Sequence, residues 1–455
     1  MYPKLRLLGL ALTVGTTIFN PVAVRAASDE QLSAIQRQIE ALKNDYQARI
    51  GALELRLRQA ESDAAAARAE TARAAAVPPT ATTAATPQAA SPPAPNTPPA
   101  AANAFNPAIS AVLNGTFGQY SRDPSTTKVP GFLLGGEAGL GKRGFSLGES
   151  EVSFSANVDQ ALYGNLTLSI DGENQVGVEE AYLQTTSLPW GLTAKAGRFF
   201  SGIGYLNEKH AHDWSFIDAP LPYRAFLNKQ YGDDGIQVRW LAPTDFFLEF
   251  GGEAFRGDSF PAGNASNRGK GAGSLFAHTG GDIGINSSWL AGLSYLDTKA
   301  NNRVNGDDTF RGRDNLGIAS LVYKWAPDGN PIERNLTLSG EYFLGRENGT
   351  LNGVSFDTGR TGWYVQGVYQ FMPRWRVGLR HDEVRADDVV GALKGTTIDN
   401  LGHTPRSNSA LLEFDTSEFG RFRAQYSRDE SNATTDNIIL GQYTIVFGPH
   451  GAHRF

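Results

Sequence analysis

The stretch GESEVSFSANV, residues 148–158, sets Val152, Phe154, Ala156 and Val158 against Glu149, Glu151, Ser153 and Asn157. Successive side chains of a strand point to opposite faces, so one face here is wholly apolar while the other carries two carboxylates. The next stretch, LYGNLTLSIDG at 162–172, repeats the pattern, with Leu162, Leu166, Leu168 and Ile170 opposing Tyr163, Asn165, Thr167 and Asp171. A continuously apolar face opposite a charged one is what a strand needs when lipid lies on one side and water on the other.

Working outward, period-two segments fall at 108–120, 146–157, 162–171, 176–186, 192–200, 235–242, 245–256, 276–286, 289–298, 315–326, 335–345, 361–372, 374–384, 407–415, 419–428 and 436–447. Their number, sixteen, is even, as an antiparallel barrel with both ends on one side requires. Short connections such as LPWG, LAPTD, INSSW, FMPRW and DTSEF alternate with long ones at 201–234, 257–275, 299–314 and 385–406. Trp190, Trp240, Trp289, Trp325 and Trp375 all stand at or beside the short connections, which predicts an aromatic girdle at that rim. A soluble β-helix or propeller would also supply many strands but would not confine tryptophan to one end. The expected fold is therefore all-β, a 16-stranded antiparallel transmembrane β-barrel over 105–455, preceded by an α-helical coiled coil and a Pro/Ala-rich linker.

The first residues, with Lys4 and Arg6 before an apolar run from Leu7 to Phe19 and Val24-Arg25-Ala26 after it, read as a signal peptide over 1–26. Losing Lys4, Arg6 and Arg25 takes the formal charge from −6 to −9. Such acidity argues against a nucleic-acid partner. The chain has no cysteine, which excludes disulfides and thiolate chemistry. Over 29–75, apolar positions from Leu32 through Ile35, Ile39, Leu42, Tyr46, Ile50, Leu53 and Leu57 follow a heptad seam with one four-residue stutter, the mark of a periplasmic coiled coil between chains. Residues 76–104 are nearly all Ala, Thr and Pro, a spacer that cannot build a core.

The connection from Ser201 to about Asp234 carries Trp214, Phe216, Ile217, Leu221, Tyr223 and Phe226, more apolar surface than an exposed loop needs. It is expected to fold into the lumen. Its segment NEKHAHDW, residues 207–214, places Glu208, His210 and His212 two apart, on one face if extended. These three are candidate metal ligands, because imidazole suits Zn, Cu or Ni; a polar channel lining is the competing reading. An imidazole at its ordinary pKa of about 6.5 would gain charge as pH falls toward 5. Asp213 and Arg224 join them as expected lining residues, and alternation adds Lys195, Arg239, Glu249, Arg376, Arg380, Arg421 and Arg423, with Glu149, Glu151, Glu253, Glu341, Asp382 and Glu413 as further acids. Both signs occur in quantity, so neither strong anion nor strong cation selectivity is expected.

The barrel pattern, together with the block KAGRFFSGIGYLNEKHAHDWSFIDAPLPYRAFL at 195–227 and QYGDDGIQVRWLAPTD at 230–245, resembles Gram-negative outer-membrane porins with an N-terminal coiled coil, porin-like proteins sometimes labelled TonB-dependent receptors. Such receptors have about 22 strands around a plug, for which this chain has no room. The terminal Phe455 is similar to the signal read by the outer-membrane insertion machinery. The resemblance implies a homotrimer in the outer membrane, a constricting loop, and passive diffusion of small hydrophilic solutes with no cofactor and no bond chemistry. Its N-terminal segment would stand in the periplasm near peptidoglycan. Two other readings compete: transport or binding of a divalent metal ion or its chelate, and an outer-membrane hydrolase, although no GxSxG-type elbow is present.

Overall fold

The computed structural model describes residues 107–448 except 174 and 264–269. The expected signal peptide, coiled coil, linker and terminal phenylalanine lie outside the described residues. Within them the chain forms β1 (Ala108–Tyr120), β2 (Gly144–Leu147), β3 (Ser150–Asn157), β4 (Leu162–Ile170), β5 (Val176–Thr185), β6 (Leu192–Phe200), β7 (Gly232–Leu241), β8 (Phe247–Phe255), β9 (Ala272–Ile283), β10 (Ser287–Asn305), β11 (Asp308–Trp325), β12 (Asn335–Leu351), β13 (Val354–Met372), β14 (Trp375–Ala386), β15 (Arg406–Ser417), β16 (Gly420–Glu430) and β17 (Asp436–Phe447), with one helix, α1 (Leu221–Leu227).

Each strand pairs antiparallel with its neighbours, and β1 closes the ring against β17 in a register running from Ala111 opposite Phe447 to Tyr120 opposite Ile438. On its other side β1 pairs with both β2 and β3. These two are one stave broken at Gly148 and Glu149, where the Gly148 N–H still donates to the Asn114 carbonyl at 2.7 Å. Seventeen strand segments therefore make a sixteen-stave closed barrel. Closure leaves no open edge, as a sheet bathed in hydrocarbon requires.

Side chains alternate as the sequence predicts. On β10, Leu293 and Tyr295 face outward while Ser294, Leu296 and Thr298 are buried inside. On β16, Phe422 and Tyr426 face outward and Arg423, Gln425 and Ser427 inward. The exterior is thus an apolar belt and the interior is rich in charge, the inverse of a soluble barrel. Trp190 sits in the turn between β5 and β6, Trp240 and Trp325 end β7 and β11, and Trp289 and Trp375 open or nearly open β10 and β14, so all five indoles lie toward the short-turn rim. Trp240 Nε1 donates to the Trp190 carbonyl at 3.1 Å, and the Trp375 ring lies 4.6 Å from that of Phe414 across the ladder.

One expectation is corrected. Residues 299–314 are no loop: β10 and β11 run on as a paired ribbon to a turn at 306–307, and β12 and β13 likewise reach a turn at 352–353. These extensions are polar and charged, so hydrophobic alternation loses contrast there, but the ladder continues to satisfy the backbone.

The long connection between β6 and β7, residues 201–231, folds into the lumen. Trp214, Leu221, Tyr223, Phe226 and Tyr231 join inward-facing wall residues Phe199, Phe255, Leu296, Leu316, Ile318, Phe343, Tyr364 and Val384 in one apolar cluster, with Val129 and Phe132 from the β1–β2 connection. Helix α1 has all seven of its residues buried and lies against β13 and β14. It ends at Asn228 in the left-handed region (φ 56°), a conformation asparagine tolerates at a helix terminus.

Candidate functional site in the barrel lumen

Below the apolar cluster, toward the short turns, lies a cavity of about 1450 Å³. Its wall comes from β1, β3 to β11 and β14 to β17, and its ceiling from loop residues 204–213. Of the residues expected to line a passage, Lys195, Glu208, His210, His212, Asp213, Arg239, Glu249, Arg376 and Arg421 border it. Arg224, Arg380 and Arg423 do not. All three are buried and act as clamps, Arg380 and Arg423 from the wall onto the loop and Arg224 from the loop onto the β1–β2 connection.

The clamps explain why so apolar a loop holds its place in a charged barrel. Arg380 pairs with Asp218 of the loop at 2.8 Å and with Asp382 of its own strand at 3.0 Å. Arg423 donates to the carbonyls of Trp214, Ser215 and Phe216, the last two at 3.2 Å. Arg224 donates to the Ala138 carbonyl at 2.9 Å, tying α1 to the β1–β2 connection. From the far wall, Glu341 accepts from the Tyr205 N–H at 2.7 Å and Gln425 accepts from the Ile217 N–H at 2.8 Å. A carboxylate that accepts from loop backbone removes a buried unpaired donor, whose exposure to an apolar environment would cost about 1–3 kcal/mol.

Burial would raise the Asp218 pKa, but Arg380, Gln425 and Arg224 outweigh it and hold the carboxyl below the ordinary aspartate value. Burial pushes the Lys209 ammonium down to about 8, while its Nζ lies 4.3 Å from the centre of the Tyr205 ring.

The sequence motif NEKHAHDW does not act as one face. Glu208 turns to the Arg239 guanidinium, which also reaches Glu249 at 3.2 Å, with His278 Nδ1 at 3.5 Å from the same carboxylate. His210 and His212 turn instead to Glu151 of β3. His210 Nδ1 is 2.9 Å from Glu151 Oε2, and His212 Nδ1 is 2.9 Å from Glu151 Oε1. The trio whose ligand atoms converge is thus Glu151, His210 and His212, all within 4.8 Å of one another. A tight turn over 206–209, closed by the Lys209 N–H donating to the Leu206 carbonyl at 3.0 Å, is the local cause: it breaks the extended period and separates Glu208 from the histidines.

Two further carboxylates stand at the imidazoles. Glu180 Oε2 is 3.2 Å from His210 Nε2, and Glu179 Oε2 is 3.4 Å from His210 Nδ1. Consecutive strand residues should face opposite ways. Here the β4–β5 register slips, Thr167 opposing Glu180 and Leu168 opposing Val178, so Glu179 is an extra residue in a bulge that turns both side chains inward. No sequence pattern marks that bulge beyond the pair of glutamates itself. For His210, burial alone would lower the pKa, but Glu151, Glu179 and Glu180 prevail and raise it well above the ordinary value. The expected gain of charge between pH 6.5 and 5 is therefore displaced to higher pH at this residue.

No protein-family model matches the chain. A protein of Aquifex aeolicus (strain VF5), described only as uncharacterized, is 31% identical over 398 residues, covering 78% of this chain and 81% of its own length. The chain belongs to the same family as that protein. Among solved structures it is similar to OmpT, an outer membrane protein of Vibrio cholerae, in its trimer form (TM-score 0.49, 11% identity, 75% of this chain and 99% of that one). It is also similar to the outer membrane channel DcaP of Acinetobacter baumannii (TM-score 0.49, 12% identity, 75% and 97%) and to an anion-selective porin from Comamonas acidovorans (TM-score 0.47, 9% identity, 75% and 99%).

Proposed function

We propose that the protein is an outer-membrane channel of a Gram-negative bacterium, a homotrimer through which small hydrophilic solutes diffuse passively past the lumen loop, with its N-terminal segment in the periplasm. The observation that carries this reading is the 1450 Å³ cavity inside a barrel whose exterior is apolar. Its walls are wet by design: Ser153, Asn165, Thr167, Lys195, Glu249 and Arg376 are positions a soluble barrel would fill with aliphatic groups. The mixture of signs supports weak charge preference, because Arg376 is matched by Asp415 at 2.7 Å and by Glu413, and Arg239 by Glu208 and Glu249. Assembly between chains draws its support from the heptad seam over Leu32 to Leu57, and the number three from the resemblance to porins with an N-terminal coiled coil.

Single-channel recording in planar bilayers across a panel of salts tests the reading. The expected result is stepwise conductance in multiples of three with a cation-to-anion permeability ratio near unity. Bilayers that stay silent at high protein, or current that passes one sign of ion alone, would contradict it.

A further inference from the structure

We infer that Glu151, His210 and His212 are the protein ligands of a site for one divalent transition-metal ion of the zinc class, which ties the lumen loop to wall strand β3. The inference rests on the local geometry alone and not on passage of solutes through the barrel.

Here both Nδ1 atoms face the two oxygens of a single carboxylate, each at 2.9 Å. Each Nε2 then faces a second carboxylate, Glu180 for His210 at 3.2 Å and Asp213 for His212 at 3.3 Å. A carboxylate behind the far nitrogen of a histidine is the device by which proteins fix the ring and raise its basicity toward a metal. The arrangement occurs twice over in one cluster.

A second observation concerns a carboxylate outside the trio. Glu179, with its side chain 7% exposed, is delivered into the cluster by the β5 bulge, where its Oε2 stands 3.4 Å from His210 Nδ1 without a well-aligned hydrogen bond. His210 Nδ1 lies 2.9 and 3.4 Å from two carboxylate oxygens and is not well aligned on either as a hydrogen-bond donor. Buried polar atoms are rarely left so, and each calls for an explanation. A cation between Glu151, Glu179 and the Nδ1 atoms supplies one. Charge points the same way: four carboxylates (Glu151, Glu179, Glu180, Asp213) meet two imidazoles, leaving two negative charges even with both rings protonated. Arg421, whose guanidinium donates to the His212 carbonyl, and Arg423 and Lys209, both attracted to Asp213, offset part of that excess on the Asp213 side, while Glu151, Glu179 and Glu180 crowd His210.

Two imidazoles and a carboxylate form a donor set for Zn²⁺ and its first-row neighbours, whereas Ca²⁺ and Mg²⁺ prefer oxygen throughout. Because Glu151 belongs to the wall and the histidines to the loop, the bound ion would staple one to the other and stabilise the folded barrel by mass action.

The test is titration of the full mature chain in detergent with Zn²⁺ by calorimetry in excess Mg²⁺, and with Co²⁺ by visible absorption. One equivalent of Zn²⁺ per chain is expected, with a Co²⁺ band characteristic of imidazole ligation. His210→Ala/His212→Ala should abolish the band, and Glu180→Gln, behind the ring, should weaken affinity roughly 10- to 100-fold. Glu208→Gln, on the Arg239 side, should leave affinity unchanged. A wild-type chain without an imidazole-ligated Co²⁺ band would overturn the proposal, whatever the variants do. So would a band that survives the double substitution, which would assign the metal to other histidines such as His450 and His453. A silent barrel that binds Zn²⁺ would contradict the channel and leave this site standing; a conducting barrel that does not bind it would do the reverse.

Discussion

Ile318 and Ser320 stand two residues apart on β11 and both point into the barrel, yet Ile318 is sealed in the apolar cluster under the lumen loop while Ser320 borders the open cavity. The same boundary crosses the neighbouring β10 between Leu296, in the cluster, and Leu290, at the cavity. Strand geometry is the same on both sides of the line. What differs is the presence of 201–231, which brings Trp214, Tyr223 and Phe226 to one level and only its polar stretch, Glu208 to Asp213, to the next. The contrast teaches that in this barrel the wall is matched to the loop level by level, and that the dry region exists only because an inserted segment covers apolar wall residues that water would otherwise meet.

If that contrast is right, the largest effects should come from the dry level. Phe226→Ala removes a ring packed on Phe343 and Phe132 and should cost about 3–5 kcal/mol in denaturant unfolding, with conductance rising as the loop loosens. A small change in midpoint would mean the loop is only draped on the wall. Arg380→Met leaves Asp218 and Asp382 facing each other without their cation and should cost a comparable amount, roughly 3–5 kcal/mol.

The Asp218 clamp also carries a pH signature. Its carboxyl is held below the ordinary value in the fold, so its contribution is present above the unfolded aspartate pKa of about 3.9 and is lost as pH falls through the folded value. Proteolysis of the loop in wild-type protein should therefore quicken on acidification below pH ~4, and Asp218→Asn should flatten that dependence. Equal acid sensitivity in the variant would assign the effect elsewhere.

A third comparison sets the two faces of β10 against each other. Leu293→Arg puts a charge on the lipid side and should destabilise by roughly 2–4 kcal/mol if it lies near the bilayer midplane; Ser294→Thr, facing inward, should be mild, and similar losses in both would contradict the inside-out pattern. The smallest effect is expected on the outer ribbon. Arg346 and Asp357 form a bidentate pair across β12 and β13 but are well exposed. Arg346→Ala should leave the unfolding midpoint and conductance unmoved.

The barrel was legible because lipid imposes a rule on every strand: Val152, Phe154 and Ala156 can alternate against Glu151 and Ser153 only if one face is wet, and tryptophans beside five short turns mark a common rim. The inward fold of the loop was legible from its aromatic content. The pairing inside the lumen was not. Glu151 and His212 are 61 positions apart and meet only because the loop after β6 folds back onto β3, so nothing local to NEKHAHDW selects Glu151 over Glu208. Glu179 was hidden by the period-two rule itself, which assigns it to the lipid side; a one-residue slip in hydrogen bonding reverses that assignment without leaving a compositional trace. Alternation marks Arg380 and Arg423 as wall arginines, but whether such an arginine meets water or loop backbone depends on where the loop lies.

Because the chain contains no cysteine, single cysteines can probe the boundary directly. Ser320→Cys and Ser153→Cys should react rapidly with a charged methanethiosulfonate in folded protein and reduce conductance, since both positions border the cavity. Ile318→Cys and Phe343→Cys, inside the cluster, should react orders of magnitude more slowly and reach the same rate only on unfolding. Equal labelling of Ile318→Cys and Ser320→Cys in the folded barrel would contradict the division of the lumen into a dry level and a wet one.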